Sequence, residues 1–369
     1  MEHFLTDFHA LAPSYVVSQE NVLKWIANAH SKAEKKITGP FQSEFHAKVE
    51  QQIFRLGLGH QKIQTRGVEF DDFLHEDWDK MKIFNLEGPD STLEHRSTLF
   101  DEIVTKKFQE FYPEKSSLPP HLLHVTCTGY QAPSGAQKIV SEKKADTSVT
   151  HVYHMGCFAA IPAIRIARGF SSSEKKDVDI VHTEVCSLHL NPYLHDTDQL
   201  VVQTLFADGC IKYTCSQKKG KGSFLIKEVQ DEILPLSLDK MSWKCKAWGM
   251  QMTLQKEIPV IVARALPSFL KKLCKDPSAC ISDSIFAIHP GGPKIVEQIA
   301  SIFNLKPHQI AHSQKILFSR GNMSSATLPH IWKEILEDSK VPNDANVISL
   351  AFGPGLTVSG ILLQKKVFL

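Results

Sequence analysis

The sequence lacks the long apolar runs of membrane proteins. None of its stretches approaches the ~18–20 apolar residues that a spanning helix needs. An excess of charge of one sign is also missing, because 42 Lys and Arg stand against 40 Asp and Glu in 369 residues. Neither nucleic acid nor an anionic membrane is therefore indicated as a partner. Residues 1–20 carry acids and histidines where a secretory signal has a basic start and an apolar run, so we expect a cytoplasmic protein.

The cysteines lack the spacing of a metal site or a disulfide framework. Eight are present, with no C-x-x-C pair and no Cys/His set at zinc-ligand spacing. A chain of this length buries enough apolar surface to fold without cross-links. We therefore expect no metal and mostly buried thiols, with at least one thiol available as a nucleophile.

The composition is that of a globular protein, with 42% hydrophobic and 22% charged residues. The length suggests two domains or two halves. Residues 1–90 show mainly helical spacing of apolar residues, whereas short β-rich runs alternate with helical runs after Pro119-Pro120. This alternation predicts an α/β protein with a largely parallel, buried sheet. A Lys/Gly-rich turn at 217–222 leads us to expect two similar halves, residues 1–222 and 223–369. In the second half, the pattern predicts strands at 284–289 and 316–318 and a helix at 324–339.

One reactive side chain, Cys157, lies where a predicted strand runs through Gly156 into a helix. A thiol at such a junction faces the positive end of the helix dipole and unpaired backbone amides, which favour the thiolate. The small residues Gly156, Ala159 and Ala160 leave room for a substrate carbonyl. Considered alone, Cys157 is equally readable as a buried apolar residue.

Two further junctions carry His289 and Asn322. His289 ends an apolar strand before a Pro-Gly-Gly-Pro loop, where an imidazole can pair with a thiolate or donate to a carbonyl oxygen. Asn322 follows a glycine and precedes a helix, where a carboxamide can donate to an oxyanion. The alternatives are a core histidine and an ordinary turn or N-cap asparagine. The three residues together, each at a strand-to-loop-to-helix junction, favour a catalytic interpretation.

These junctions and the segments around them resemble the type III polyketide synthases, the chalcone synthase-like family of the thiolase superfamily. The resemblance covers about residues 125–363 and adds little over the first ~120. It implies an α/β, thiolase-like five-layered αβαβα fold made of two similar halves. The matching segments, in chain order, are GCFAA at 156–160, TEVCSLHL at 183–190, QTLFADG at 203–209, IHPGGPKI at 288–295, GNMSSA at 321–326 and FGPGLTV at 352–358.

The resemblance implies a decarboxylating Claisen condensation, the chemistry of an acyltransferase. Cys157 is then the nucleophile that a thioester starter acylates. His289 keeps Cys157 as a thiolate, and His289 and Asn322 donate to the thioester oxygen of a malonyl-type extender as an enolate forms. Neither a metal nor an organic cofactor is required.

The resemblance also assigns residues to the substrate cavity. Phe206 matches an aromatic gatekeeper, Met252 the second gatekeeper position and Pro354 a loop that shapes the cavity, and Ser324 belongs to the same site. Cys186 and His189 stand where chalcone-type enzymes have threonine, and Trp243 where they often have glycine. Bulky Trp243 and His189 predict a reduced cavity, suited to a fatty or β-ketoacyl starter, few extensions and release as an α-pyrone, a resorcinol or a simple ketone.

The implied partners are acyl-CoA and malonyl-CoA thioesters, an acyl carrier protein, and a second copy of the chain. The family's cationic clasp for the phosphates of coenzyme A is best matched by Arg55, Lys62 and Arg66, at positions that differ from those in the family. Delivery by an acyl carrier protein is therefore an alternative. A homodimer is expected, with Ala132 near the loop that reaches toward the partner's cavity.

Two other functions remain open from the sequence. One is a single condensation of carrier-protein-bound acyl chains, as in ketoacyl carrier-protein synthase III, which has the same Cys-His-Asn set. The other is a Cys-His acyltransferase or hydrolase on the same fold. Release of free acid without carbon–carbon bond formation would identify a hydrolase.

Overall fold

A computed structural model describes residues 1–40, 42–86 and 91–367. Its strands are β1 Phe4–Leu11, β2 Tyr15–Ser18, β3 Thr65–Val68, β4 His121–Thr126, β5 Ser148–Tyr153, β6 Val178–Glu184, β7 Gly209–Ser216, β8 Gly222–Ile233, β9 Met241–Lys246, β10 Gly249–Leu254, β11 Ile285–Ile288, β12 Asn346–Gly353 and β13 Thr357–Val367. Its α-helices are α1 Gln19–Thr38, α2 Ser43–Leu56, α3 Leu93–Phe111, α4 Gly135–Glu142, α5 Ala160–Glu174, α6 Thr197–Leu205, α7 Ile258–Leu273, α8 Pro277–Asp283, α9 Pro293–Ile302, α10 Pro307–Arg320 and α11 Thr327–Glu337.

One large mixed sheet runs through the molecule in the order β5-β4-β6-β7-β1-β8-β13-β12-β11. The two halves of this sheet meet where Phe4 and Leu5 of β1 pair with Leu225 and Phe224 of β8. Outward from that junction, each half has two antiparallel pairings followed by a parallel one: β1·β7, β7·β6 and β6·β4 on one side, and β8·β13, β13·β12 and β12·β11 on the other. The pairing pattern is therefore similar in the two halves.

The packing explains the five layers. Helices α5 and α11 are buried in one central apolar cluster with strand residues from both halves of the sheet, such as Leu123 and Val347. The next residue on each strand, Leu122 on β4 and Ile348 on β12, points to the opposite face, as the two-residue period of a strand requires. On those outer faces, α1, α3 and α4 cover one half, and α7, α9 and α10 cover the other. The layers are thus helices, sheet, central helices, sheet and helices, which is a thiolase-like fold.

Helix starts follow the local capping chemistry. Helix α1 begins after Ser18, whose hydroxyl accepts a hydrogen bond from the amide of Asn21. Helix α4 begins with a capping box between Ser134 and Gln137.

Two expectations were wrong. Residues 316–318 are not a strand but part of α10, where Ile316 and Leu317 are buried together with Ile310 and Ser313 at helical spacing. Residues 1–40 and 42–86 have more helical than strand residues, as expected, and also contain β1, β2 and β3. The sheet is mixed rather than largely parallel, with parallel pairing confined to β4·β5, β4·β6 and β11·β12 among the described strands. The boundary between residues 222 and 223 remains a prediction.

Candidate active site

Cys157 lies in a sharp turn between β5 and α5. His154 and Gly156 have positive φ angles of 62° and 85°, and α5 begins three residues after Cys157 rather than at it. Glycine is needed at 156, because a Cβ there would lie 2.8 Å from Cδ of Pro354 in addition to the unfavourable φ. The turn holds the Cys157 thiol just before the N-terminus of a central helix, and the residue is only 6% exposed.

The Ser324 hydroxyl contacts this thiol. Its Oγ lies 3.7 Å from Sγ of Cys157 and 3.0 Å from Sγ of Cys127. Burial raises the pKa of Cys157 to about 12, and the contact with Ser324 opposes that rise. Burial alone therefore favours the neutral thiol. Formation of a thiolate here depends on the helix N-terminus and on an opposite charge that forms with it.

Asn322 is oriented by its own turn. Its Oδ1 accepts a hydrogen bond from the amide of Ser324 at 2.9 Å and one from the hydroxyl of Thr327 at 3.4 Å. With the oxygen engaged, Nδ2 is left buried and without an acceptor among the described residues. A buried amide donor without an acceptor costs ~1–3 kcal/mol, so this NH₂ group is suited to an oxygen atom supplied by a substrate.

His289 follows β11 directly. Its backbone amide donates to the carbonyl of Leu350 on β12 at 2.8 Å. The side chain is 1% exposed, and neither ring nitrogen has a hydrogen-bond partner in the described part of the chain. Burial lowers the pKa of His289 to about 3. The ring is therefore a neutral donor and acceptor unless a thiolate or an enolate pairs with it.

The structure connects these three groups to different degrees. Cys157 and Asn322 are joined through Ser324. His289 is connected to the Cys157 turn by the chain that continues from β12, because Gly353 packs on Phe158 and Pro354 packs on Gly156. A cavity lies beside Cys157 and Ser324, and His289 and Asn322 are not part of its lining.

The cavity is walled by six of the seven predicted cavity residues: Phe206, Met252, Cys186, His189, Trp243 and Ser324. Pro354, the seventh, instead supports Gly156. The volume is only about 50 Å³, room for a few water molecules. The reduction of the cavity relative to chalcone-type enzymes remains a prediction.

Trp243 and His189 are rigidly held parts of this wall. Trp243 is the cross-strand partner of Met252 in the β9–β10 hairpin, and its Nε1 donates to the carbonyl of Cys127 at 2.6 Å. His189 donates from Nε2 to the carbonyl of Thr128 at 2.8 Å and accepts at Nδ1 from the amide of Met250 at 3.1 Å. With both ring nitrogens engaged and its pKa lowered to about 3 by burial, His189 is a wall residue rather than an acid or base.

Sequence reasoning missed a buried polar group behind the cavity. The Glu184 carboxylate accepts hydrogen bonds from the amide of Cys127 at 3.1 Å, from the hydroxyl of Thr128 at 2.9 Å and from the hydroxyl of Ser325. Burial raises the pKa of Glu184. Cys127 itself lines the cavity. The acidic residue at the end of an apolar strand, in the segment TEVC, was the available signal.

The predicted cationic clasp is only partly on the surface. Arg55 and Lys62 are exposed, and Lys62 forms a 2.7 Å ion pair with Glu297. Arg66 is 4% exposed and lines the cavity, so it does not share the exposed position of Arg55 and Lys62. Ala132 is exposed, as a loop near a partner would require.

The part of the chain that the structure describes contains neither a membrane-spanning helix nor a metal-binding cluster. Within residues 1–40, 42–86 and 91–367, none of the helices combines the length and apolar character needed to cross a bilayer. Over the same ranges, the His, Cys, Asp and Glu side chains form no group of three or more that could hold a metal ion.

Comparisons with known proteins agree with this fold. The family model "Chalcone and stilbene synthases, C-terminal domain" matches residues 225–367. The chain is 30% identical over 259 residues to "Probable polyketide synthase 1" of Dictyostelium discoideum, an alignment that covers 67% of this chain and 8% of that protein. It is 26% identical over 271 residues to "Alpha-pyrone synthesis polyketide synthase-like Pks18" of Mycobacterium tuberculosis, covering 71% of this chain and 69% of that one.

A solved structure extends the likeness to the whole chain. The C-terminal type III polyketide synthase domain of "Steely1", from a type I/III hybrid of Dictyostelium, superposes with a TM-score of 0.83 and 23% identity over 100% of both chains. At that identity the superposition establishes the fold. Together with the family model and the sequence relatives, it identifies the chain as a member of the chalcone synthase-like, type III polyketide synthase family of the thiolase superfamily.

Proposed function

We propose that the protein is a condensing transferase that extends an acyl thioester with malonyl-derived units. The observation that carries the proposal is the unpartnered state of the buried polar groups: the carboxamide NH₂ of Asn322 and both ring nitrogens of His289 lack acceptors or donors among the described residues. They accompany a buried thiol held at a helix N-terminus. Such groups supply the donors that an enolate or oxyanion needs in a dry site.

The proposed first step is acyl transfer to Cys157. Its thiolate attacks the carbonyl of the starter thioester, and the tetrahedral intermediate collapses with release of the carrier thiolate. Because burial raises the pKa of Cys157 and lowers that of His289, the ion pair of thiolate and imidazolium must be stabilised by mutual attraction and by the N-terminus of α5.

The second step is decarboxylation and condensation. The electron pair of the bond to the extender's carboxylate moves toward the thioester oxygen as CO₂ leaves, and this oxygen accepts hydrogen bonds from His289 and Asn322. The enolate carbon then attacks the acyl carbonyl and expels the Cys157 thiolate. One donor of this kind typically contributes about 10²–10³ in rate.

The cavity supports a product with few ketide units. Trp243 and His189 fill positions that are smaller in chalcone-type enzymes, and about 50 Å³ remains. We propose an acyl or β-ketoacyl starter with release as an α-pyrone, a resorcinol or a related polyketide. The likeness to a relative named for α-pyrone synthesis supports the pyrone among these. A single condensation of the ketoacyl-synthase kind is not favoured, because the relatives found are polyketide synthases.

The partners of the reaction are also proposals. The aligned region spans 8% of the amoebal relative, so that protein's own partners are no guide to this chain. We propose acyl-CoA and malonyl-CoA thioesters as substrates, with an acyl carrier protein as the alternative carrier. A homodimer in the cytoplasm, with each chain divided into halves at about residue 222, completes the proposal.

The test is mass spectrometry of products after incubation with malonyl-CoA and a panel of acyl-CoAs, repeated with carrier-protein thioesters. We expect products that carry the starter and one or more two-carbon units, and none with the Cys157→Ala variant. Free acid as the sole product, without release of CO₂, would identify a hydrolase and refute the proposal.

A further inference from the structure

Arg66 on β3 is a buried cation with unusual surroundings. Its side chain lines the cavity, and it has no carboxylate within ion-pair distance in the described part of the chain. Nη1 donates to the carbonyls of Gln203 and Phe206, both at 2.9 Å. Nε and Nη2 are buried and meet no acceptor among the described residues. Burial lowers the pKa of Arg66 to about 9, and the field of Asp208 opposes this, so the group is a cation at neutral pH.

The two carbonyls that Arg66 binds belong to the C-terminal end of α6. A helix C-terminus carries partial negative charge and carbonyls without intrahelical donors. The guanidinium thus takes the place of a C-cap, and the helix end stabilises the buried charge. Because Phe206 is the first residue after α6, this contact fixes the backbone of the cavity's aromatic wall.

The same backbone is paired with that of Asn322. Phe206 and Asn322 form an isolated β-bridge, in which the amide of Ala207 donates to Asn322 O at 2.8 Å and the amide of Asn322 donates to Leu205 O at 3.1 Å. Gly321, with φ of 75°, packs against Arg66, because a Cβ there would lie 3.1 Å from Arg66 Cγ.

Residues next to Arg66 bind the neighbouring helix. The amide of Gln64 donates to the carbonyl of Phe318 at 2.6 Å, and the hydroxyl of Thr65 donates to the carbonyl of Ser319 at 2.7 Å. The short segment 64–66 therefore holds the C-terminal ends of both α6 and α10. These are the two helix ends from which Phe206 and Asn322 emerge.

We propose that Arg66 is a positioning residue for activation of the extender, holding the Phe206 wall and the Asn322 carboxamide as one unit. The proposal rests on the proposed function. The backbone of Cys157 is held by the turn at Gly156 and its packing on Pro354, and its thiol reaches the Asn322 turn through a long, 3.7 Å contact with Ser324. Loss of Arg66 should therefore impair decarboxylation of the extender while acylation of Cys157 continues, because a displacement of about 1 Å in a catalytic group can cost about 10²-fold in rate.

The test compares two rates in Arg66→Met and Arg66→Lys. Acylation of Cys157 is followed as the mass adduct of the intact protein in a single turnover. Decarboxylation of malonyl-CoA is followed as CO₂ release in a Cys157→Gln background, where acylation cannot occur. For Arg66→Met we expect CO₂ release to fall about ten- to hundredfold, with acylation within about twofold of the parent. Arg66→Lys, which keeps the charge and one donor group, should give an intermediate rate.

Lys365→Met is the matched control. Lys365 is also a buried cation at a helix end, and donates to the carbonyls of Ile335, Asp338 and Val341 at 3.1, 2.7 and 3.1 Å, away from the cavity. Its removal should lower stability and leave both rates of the folded protein unchanged.

The outcomes are distinguishable. Equal loss of both rates in the Arg66 variants, or loss of neither, would overturn the proposal. If Arg66→Met does not fold, the split between the two rates in Arg66→Lys decides. If the parent protein neither becomes acylated nor releases CO₂, the proposed function itself has failed, and the positioning role fails with it.

Discussion

Replacing Trp243 by alanine should lengthen the product. The indole fills one side of the cavity, where its Nε1 donates to the carbonyl of Cys127 and its ring meets His189 edge-to-face at 5.6 Å between centroids. Truncation of a large side chain leaves a void on the order of 100 Å³. This void opens onto a small cavity of about 50 Å³ and gives room for further ketide units.

The same substitution has a stability cost that bounds the experiment. Trp→Ala in a packed site costs about 3–5 kcal/mol, and Trp243 should fall at the lower end because it is partly exposed. A domain with ordinary stability of ~5–15 kcal/mol tolerates such a loss. The variant should therefore fold at reduced denaturant resistance, which urea unfolding would measure.

The assay is the distribution of product masses from malonyl-CoA and one short acyl-CoA. Trp248→Ala is the matched control, because Trp248 belongs to the same hairpin region but is not part of the cavity lining. Its ring centroid lies 5.7 Å from Cζ of Arg96. We expect longer products from Trp243→Ala alone. An unchanged distribution in folded Trp243→Ala, or the same shift in Trp248→Ala, would refute the assignment of Trp243 as the limiting wall.

Other predictions concern the thiol and stability. Cys157→Ala should show no acyl adduct in an intact-mass measurement, and a normal adduct would place the nucleophile elsewhere. Lys365→Met should lower the urea midpoint by removing the buried side-chain donor to the carbonyls of Ile335, Asp338 and Val341. Acid should destabilise the fold. Below pH 6.5 histidines of the unfolded chain bind protons, whereas the buried, neutral histidines of the folded chain bind them only near pH 3. The free energy of unfolding therefore falls by up to ~1.4 kcal/mol per pH unit for each such histidine. An unfolding free energy equal at pH 7 and 5.5 would refute this contribution, which comes from His30, His124, His182, His189, His289 and His330.

The candidate site could be predicted from the sequence because the residues that shape each turn are close in the chain to the reactive residue. Gly156 before Cys157 and Gly321 before Asn322 are adjacent in the chain to the residues that they position, and both adopt positive φ. The apolar strand that precedes His289 is likewise adjacent in the chain to the residue that it positions. For such residues the turn, the reactive side chain and the following helix can be predicted from a few consecutive residues.

Where long-range pairing decides, sequence reasoning failed. Strand β1 is fixed by β7 and β8, about 200 residues away, and its polar residues give no clear alternation. The apolar residues 316–318 were assigned to a strand, yet Ile316 and Leu317 continue the buried face of a helix. The contacts of Arg66 could not be predicted from its neighbours in the sequence, because the carbonyls that accept its hydrogen bonds lie 137 and 140 residues further along the chain.

The central claim is that side chains from distant segments act on one extender thioester. Its most direct test is CO₂ release from malonyl-CoA by Cys157→Gln, compared with the double variant Cys157→Gln/Asn322→Ala. We predict that the first variant releases CO₂ without forming a condensation product and that the second loses about 10²–10³ of that rate. Equal rates in two folded variants, or no CO₂ from either, would contradict the account.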